Sequence, residues 1–139
     1  MTVARAKGAK GRADRLWSEV VRMGRTCVAC DRPDGLQAHH LISRRYNATR
    51  HLLDNGWPMC AGCHREVHEN PVLFVDLIEQ TIGRARYEEL RAMTIGTTVY
   101  RESDWIEIAD TLKARKIEIQ HLIDRGQYPP RQARSRRKK

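Results

Sequence analysis

An α+β fold is predicted for this 139-residue chain: a short two-stranded hairpin leading into a helix, stapled by four cysteines and flanked by further helices. Three observations lead to it. Cys27 and Cys30, then Cys60 and Cys63, form two Cys-x-x-Cys pairs. Between them, Asp34-Gly35 marks a turn ahead of the apolar stretch 36–42. Outside that segment, apolar residues recur at helical rather than strand spacing.

Each element follows from local signals. Leu16, Trp17, Val20 and Val21 recur at helical spacing, with Gly24 as a stop. Residues 36–42 read as the first strand and 56–59 as the second. A helix starting near Cys63 must stop before Pro71, because the residue preceding proline disfavours helical geometry. Residues 72–80 read as a helix with Leu73, Leu77 and Ile78 inward, ending at Gly83, and 84–93 as another. The 94–101 linker contains Thr97-Thr98-Val99-Tyr100, a candidate short extended piece. Ser103 is a candidate cap for a long helix with Trp105, Ile108, Leu112, Ile119 and Leu122 on one stripe. That stripe packs on the domain or on a second subunit. Gly126 and Pro129-Pro130 end the helix. Trp17, Trp57, Phe74 and Trp105 are core candidates, while Tyr46 is placed to contact a sugar or base. No repeat is visible, and no apolar run is long enough to cross a membrane.

The cysteines point to a metal. Two such knuckles present four sulfurs to one ion in a tetrahedral site, which suits a structural zinc. All four cysteines of the chain are used, leaving none for a nucleophile. Two disulfides would require a secreted protein, but residues 1–11 are basic and lack the apolar core of a signal peptide. A reducing cytoplasm is therefore expected.

The histidines point to a second site. His39 and His40 are adjacent, and neighbouring strand residues face opposite ways. Both cannot be buried in one core, so at least one meets solvent or a ligand. His64 and His68 are four apart, and a helix would place them on one face. His121 lies far from this cluster and reads as structural or exposed.

Charge narrows the partner. The formal net charge is +9. Residues 1–15 hold five Lys/Arg and one Asp, and residues 131–139 hold six Lys/Arg and no acid, so the body between is close to neutral. A basic arm (1–15) and a basic tail (126–139, with Arg131, Arg134, Arg136, Arg137, Lys138 and Lys139) read as disordered segments that engage nucleic-acid phosphates without reading bases. The plainer alternative is ends that serve only solubility. Between them lie a core (16–71) and a helical extension (72–125). Arg44, Arg45 and Arg50, after the histidine doublet, are placed to grip phosphates or are solvated loop residues.

The segment Leu36-Gln37-Ala38-His39-His40-Leu41-Ile42, then Asn55, then Met59-Cys60-Ala61-Gly62-Cys63-His64, resembles the zinc-containing HNH endonucleases. The resemblance covers roughly residues 27–71, about a third of the chain, and the flanks look like phage or prophage members. It implies a ββα-metal core in which the hairpin and following helix grip one catalytic divalent ion. It also implies hydrolysis of DNA leaving a 5′-phosphate and a 3′-hydroxyl. Carried over by residue, His40 corresponds to the general base, His39 and His64 to metal ligands, and Asn55 to the middle residue of the motif. His68 matches an additional ligand found in only some members. Many members carry Asp where this chain has His39. Mg2+ prefers oxygen ligands whereas imidazoles suit Mn2+, Ni2+, Co2+ or Zn2+, so the catalytic ion is left open among these.

The chemistry explains the residue types. A neutral histidine, with an ordinary pKa of ~6.5, takes a proton from water near neutral pH. A divalent ion stabilises charge on the leaving oxygen. Asn55 can hydrogen-bond the loop backbone, or His40 to fix its tautomer. A metal-dependent DNA endonuclease is thus the expected function. A zinc-stabilised DNA-binding module without catalysis has no need of the His39-His40 doublet with Asn55. A third class is a nuclease subunit that acts only with a phage packaging or recombination protein.

Overall fold

The computed structural model describes residues 7–129. Among them it holds six α-helices and one two-stranded antiparallel sheet. Their order is α1 (Gly8–Arg22), β1 (Leu36–His40), a short α2 (Asn47–Arg50), a 3-10 turn (Leu53–Asn55), β2 (Gly56–Cys60), α3 (Ala61–Glu69), α4 (Pro71–Gln80), α5 (Gly83–Ala92) and α6 (Glu102–Asp124). No helix among the described residues is long and apolar enough to cross a membrane.

The helix α1 corrects the expected disordered arm. It begins at Gly8, so only residues 1–6 of that arm lie outside the described residues. The physical reason is an apolar stripe that starts early: Ala9, Ala13, Leu16, Trp17, Val20 and Val21 are all buried. That stripe meets the inward face of α6, where Ala109 and Leu112 join Ala13, Leu16, Trp17 and Val21 in one cluster. The long amphipathic helix therefore packs on its own domain. Arg12 and Asp110 pair across the two helices at 3.1 Å.

Two further expectations are corrected. Ser103 does not cap α6; Arg101 occupies the cap position, and the Asp104 carboxylate accepts its backbone N–H at 2.8 Å. An acid three residues into a helix satisfies an orphan donor and complements the positive helix end. Residues 97–100 form no strand, and Ile95 and Val99 are exposed. Elsewhere the boundaries agree closely. α4 starts on Pro71, with the Asn70 side chain accepting from Leu73 N at 3.2 Å.

The sheet is a partition between two cores. Leu36 pairs with Cys60 and His40 with Gly56. Side chains alternate across it. Ala38 packs against the α1–α6 cluster, whereas Trp57 and Met59 pack with Leu73, Leu77 and Ile78 of α4 and Val67 of α3. The close approach of α1 needs Gly56, where an added Cβ would lie 2.6 Å from Trp17 Cζ2 and 2.7 Å from Val21 Cγ2. Gly56→Ala should therefore lower stability by ~1–3 kcal/mol through overpacking. Denaturant unfolding of the two proteins checks this, and equal midpoints would show that α1 yields at no cost.

Candidate metal centres and catalytic cleft

The first centre is built from the two knuckles. Val28 N donates to Pro58 O at 3.0 Å, tying the first knuckle to β2. The turn closes through Asp31 N to Cys27 O and Cys27 N to Arg32 O, both 2.9 Å. Cys60 ends β2 and stands at the N-cap of α3, with Cys63 one turn inside. The sulfurs of Cys27, Cys30, Cys60 and Cys63 all lie within 4.8 Å of one another, and Cys30 Sγ to Cys60 Sγ is 3.8 Å. Bonds of ~2.3 Å to a tetrahedral zinc place neighbouring sulfurs ~3.8 Å apart, so the cluster fits such an ion. All four are free thiols rather than disulfides.

Electrostatics favour loading of this centre. The backbone N–H of Cys63, at the start of α3, pulls the Cys60 thiol down to about 7. Burial pushes Cys63 up, and Cys30 as well. Cys60 thus offers a thiolate near neutral pH, the form in which a cysteine would hold a metal ion.

The second centre lies on the α3 face of the hairpin. His39, His64 and His68 each offer a ring nitrogen, and these atoms lie within 4.8 Å of one another. His39 points from β1 across to α3, where His64 and His68 stand one turn apart. The structure thus brings His68 into the group with the other two. Burial pushes His39 down to about 3, with repulsion from His64, His68 and His40 adding to it. Burial also lowers His64, followed by the effect of His68. Imidazoles that resist protonation keep lone pairs for a cation. Gln37, two residues before His39 on the same strand face, is 2.7 Å through Oε1 from His64 Nδ1. An amide oxygen only accepts, so Nδ1 carries the proton and Nε2 is left for an ion. Three nitrogens and no carboxylate make a donor set that would suit Ni2+, Co2+ or Zn2+ better than Mg2+.

His40 faces the other way, as strand alternation requires. Its ring stacks on Trp17 of α1, with centroids 3.9 Å apart and planes 11° apart. Its Nε2 is 3.0 Å from the carbonyl oxygen of Arg50. Nε2–H therefore donates, and Nδ1 holds a free lone pair. Burial lowers its pKa to about 4, against the opposing pull of the Arg50 carbonyl. His40 is accordingly neutral at physiological pH. It borders one cleft of about 420 Å³ together with His39, His64, His68, Ser43 and Arg44.

Asn55 does not touch His40. It is fully buried, with Oδ1 accepting from Ile42 N at 2.8 Å and Nδ2 donating to Ile42 O at 3.1 Å and Thr49 O at 3.0 Å. It staples the loop between the strands. Asn55→Ala leaves those three backbone groups without partners, at ~1–3 kcal/mol each. The variant should lose at least ~3 kcal/mol in denaturant unfolding; wild-type stability would mean that water replaces the amide.

The arginines divide. Arg44 and Arg45 are exposed, and the Arg45 guanidinium sits 5.2 Å from the centre of the Tyr46 ring. Arg50 is held by Asp14 and turned away from the cleft, with its Nε and Nη2 at 2.8 and 2.7 Å from the two carboxylate oxygens. Arg131, Arg134, Arg136, Arg137, Lys138 and Lys139 lie outside the described residues. Asp14, Trp17 and Gln37 were not expected at the site. Only Gln37 carried a signal, since strand alternation places it on the face of His39.

No family model, curated protein or solved structure matches the chain.

Proposed function

We propose that this protein is a metal-dependent HNH endonuclease that hydrolyses phosphodiester bonds in DNA. The reading rests above all on the three imidazoles of His39, His64 and His68 lining one cleft with His40, whose tautomer leaves a lone pair free. A pure binding module has no use for that combination.

In this reading, His39, His64 and His68 hold the catalytic ion, and the four cysteines hold zinc for structure alone. The bound ion supplies Lewis-acid stabilisation of the scissile phosphate and the leaving oxygen. His40 Nδ1 removes a proton from the attacking water. A phosphate docked in the cleft places negative charge beside that imidazole and favours its protonation as the reaction proceeds. Arg44, on the rim, contacts a phosphate oxygen. The basic ends add affinity that is independent of sequence.

The test incubates zinc-loaded protein with supercoiled plasmid and Mg2+, Mn2+, Ni2+, Co2+ or Zn2+. Nicked and linear products are expected with at least one ion and none with chelator. Absence of cleavage with every ion, while the protein still retards duplex DNA, would replace this reading with the binding module.

A further inference from the structure

We propose that Asp14, on α1 and outside the segment that resembles the nuclease motif, is a positioning residue for His40 and acts through Arg50. The inference rests on His40 being the base. His40 needs a fixed acceptor for Nε2–H, because a free neutral imidazole exchanges between two tautomers and only one leaves Nδ1 able to take a proton. That acceptor is the main-chain oxygen of Arg50, at 3.0 Å. What fixes the main chain there is the Arg50 side chain.

Its guanidinium is only 12% exposed and meets both oxygens of Asp14 in a two-pronged pair, at 2.8 and 2.7 Å. Its third nitrogen, Nη1, donates to Arg44 O at 2.9 Å. One carboxylate thus pins both ends of the 44–50 loop, which carries the acceptor for His40 at one end and the cleft-lining Arg44 at the other. A planar guanidinium in a paired geometry has little freedom to rotate. Burial by itself would raise the Asp14 carboxyl, but hydrogen bonds and charge from Arg50 and His51 outweigh it and hold the group ionised. Trp17 lies three residues beyond Asp14, on the same helix face, and stacks under the His40 ring. One face of α1 therefore sets both the plane of the base and the loop that orients it. Without Asp14, a nearly buried cation loses its partner and must find water. The loop then moves, and the Arg50 oxygen moves with it.

Asp14→Asn, Asp14→Ala and Arg50→Lys test this in the full chain loaded with zinc. Arg50→Lys matters because it breaks the two-pronged pair yet leaves the Asp14 contact to His51 in place. Two quantities are read: the protonated ring nitrogen of His40, from nitrogen chemical shifts without the second ion, and steady-state cleavage of supercoiled plasmid. Wild type should show Nε2–H alone. The variants should show a tautomer mixture, with kcat lower by ~10–100-fold, KM little changed, and partial recovery in Asp14→Glu. Folded variants that keep the wild-type tautomer and wild-type kcat would overturn the role of Asp14 and leave the nuclease reading intact. Should Asp14→Ala fail to fold, Arg50→Lys carries the same comparison. A wild type that cleaves nothing overturns the base reading itself, whatever the ring nitrogens do.

Discussion

Cys60→Ser should unfold the protein, and a strong chelator should do the same to wild type. Cys60 closes the sheet opposite Leu36, stands at the N-cap of α3, and offers a thiol that the Cys63 backbone N–H holds down to about 7. Folding energy from a structural zinc is on the order of 10 kcal/mol or more. A domain of this size has only ~5–15 kcal/mol of stability in total. An unfinished tetrahedral site therefore takes away most of what holds the chain together. Circular dichroism with and without chelator, alongside metal analysis, measures the effect. A serine variant that stays folded without tightly held metal would show that the two apolar clusters suffice by themselves.

His40→Ala should leave fold and zinc content intact and lower the rate of cleavage by ~10²–10⁴-fold, the usual contribution of a positioned general base. Loss of the stack on Trp17 should cost no more than ~0.5–1.5 kcal/mol. His64→Ala should differ in kind: on the proposed reading it removes an ion-binding nitrogen, so activity should return in part as the divalent ion is raised. Single-turnover cleavage across ion concentrations separates the two. Full activity in His40→Ala would move the base elsewhere, and identical ion dependence would erase the distinction between base and ligand.

The parts of the fold written in local signals were legible. The cysteine cluster is announced by the spacing within each knuckle, and the hairpin by a turn and alternation, because both depend on residues close in the chain. The opposed faces of His39 and His40 followed from strand geometry, and the pairing of His64 with His68 from helix geometry. What could not be read depends on residues brought together from afar. Nothing in the local sequence says that Asp14 meets Arg50, or that Trp17 lies under His40. Residues 8–15 read as part of a charged arm because Lys10, Arg12 and Arg15 interrupt the small residues, yet Ala9 and Ala13 are enough to continue the stripe of α1. Asn55 was read correctly as a loop partner in one of its two alternatives; its complete burial required the fold.

The pairing of α1 with α6 has a consequence for the order in which this protein matures. Ala9 N and Glu102 Oε1, Arg12 and Asp110, and Glu19 and Lys116 meet across gaps of 93, 98 and 97 residues. A chain leaves the ribosome with its N-terminus first, so α1 emerges long before the helix that covers it. The knuckles and hairpin, drawn from residues 27–63, can close while α6 is still being made. During that interval the face of α1 that later meets Ala109 and Leu112, with Ala13 and Leu16 on it, stays uncovered. Pulse-labelling of nascent chains stalled before and after residue 124 would therefore find the thiols protected early and the α1 amides protected late. The cysteine cluster would thus be assembled, ready for a metal ion, before α6 docks on the helix that carries Asp14 and Trp17.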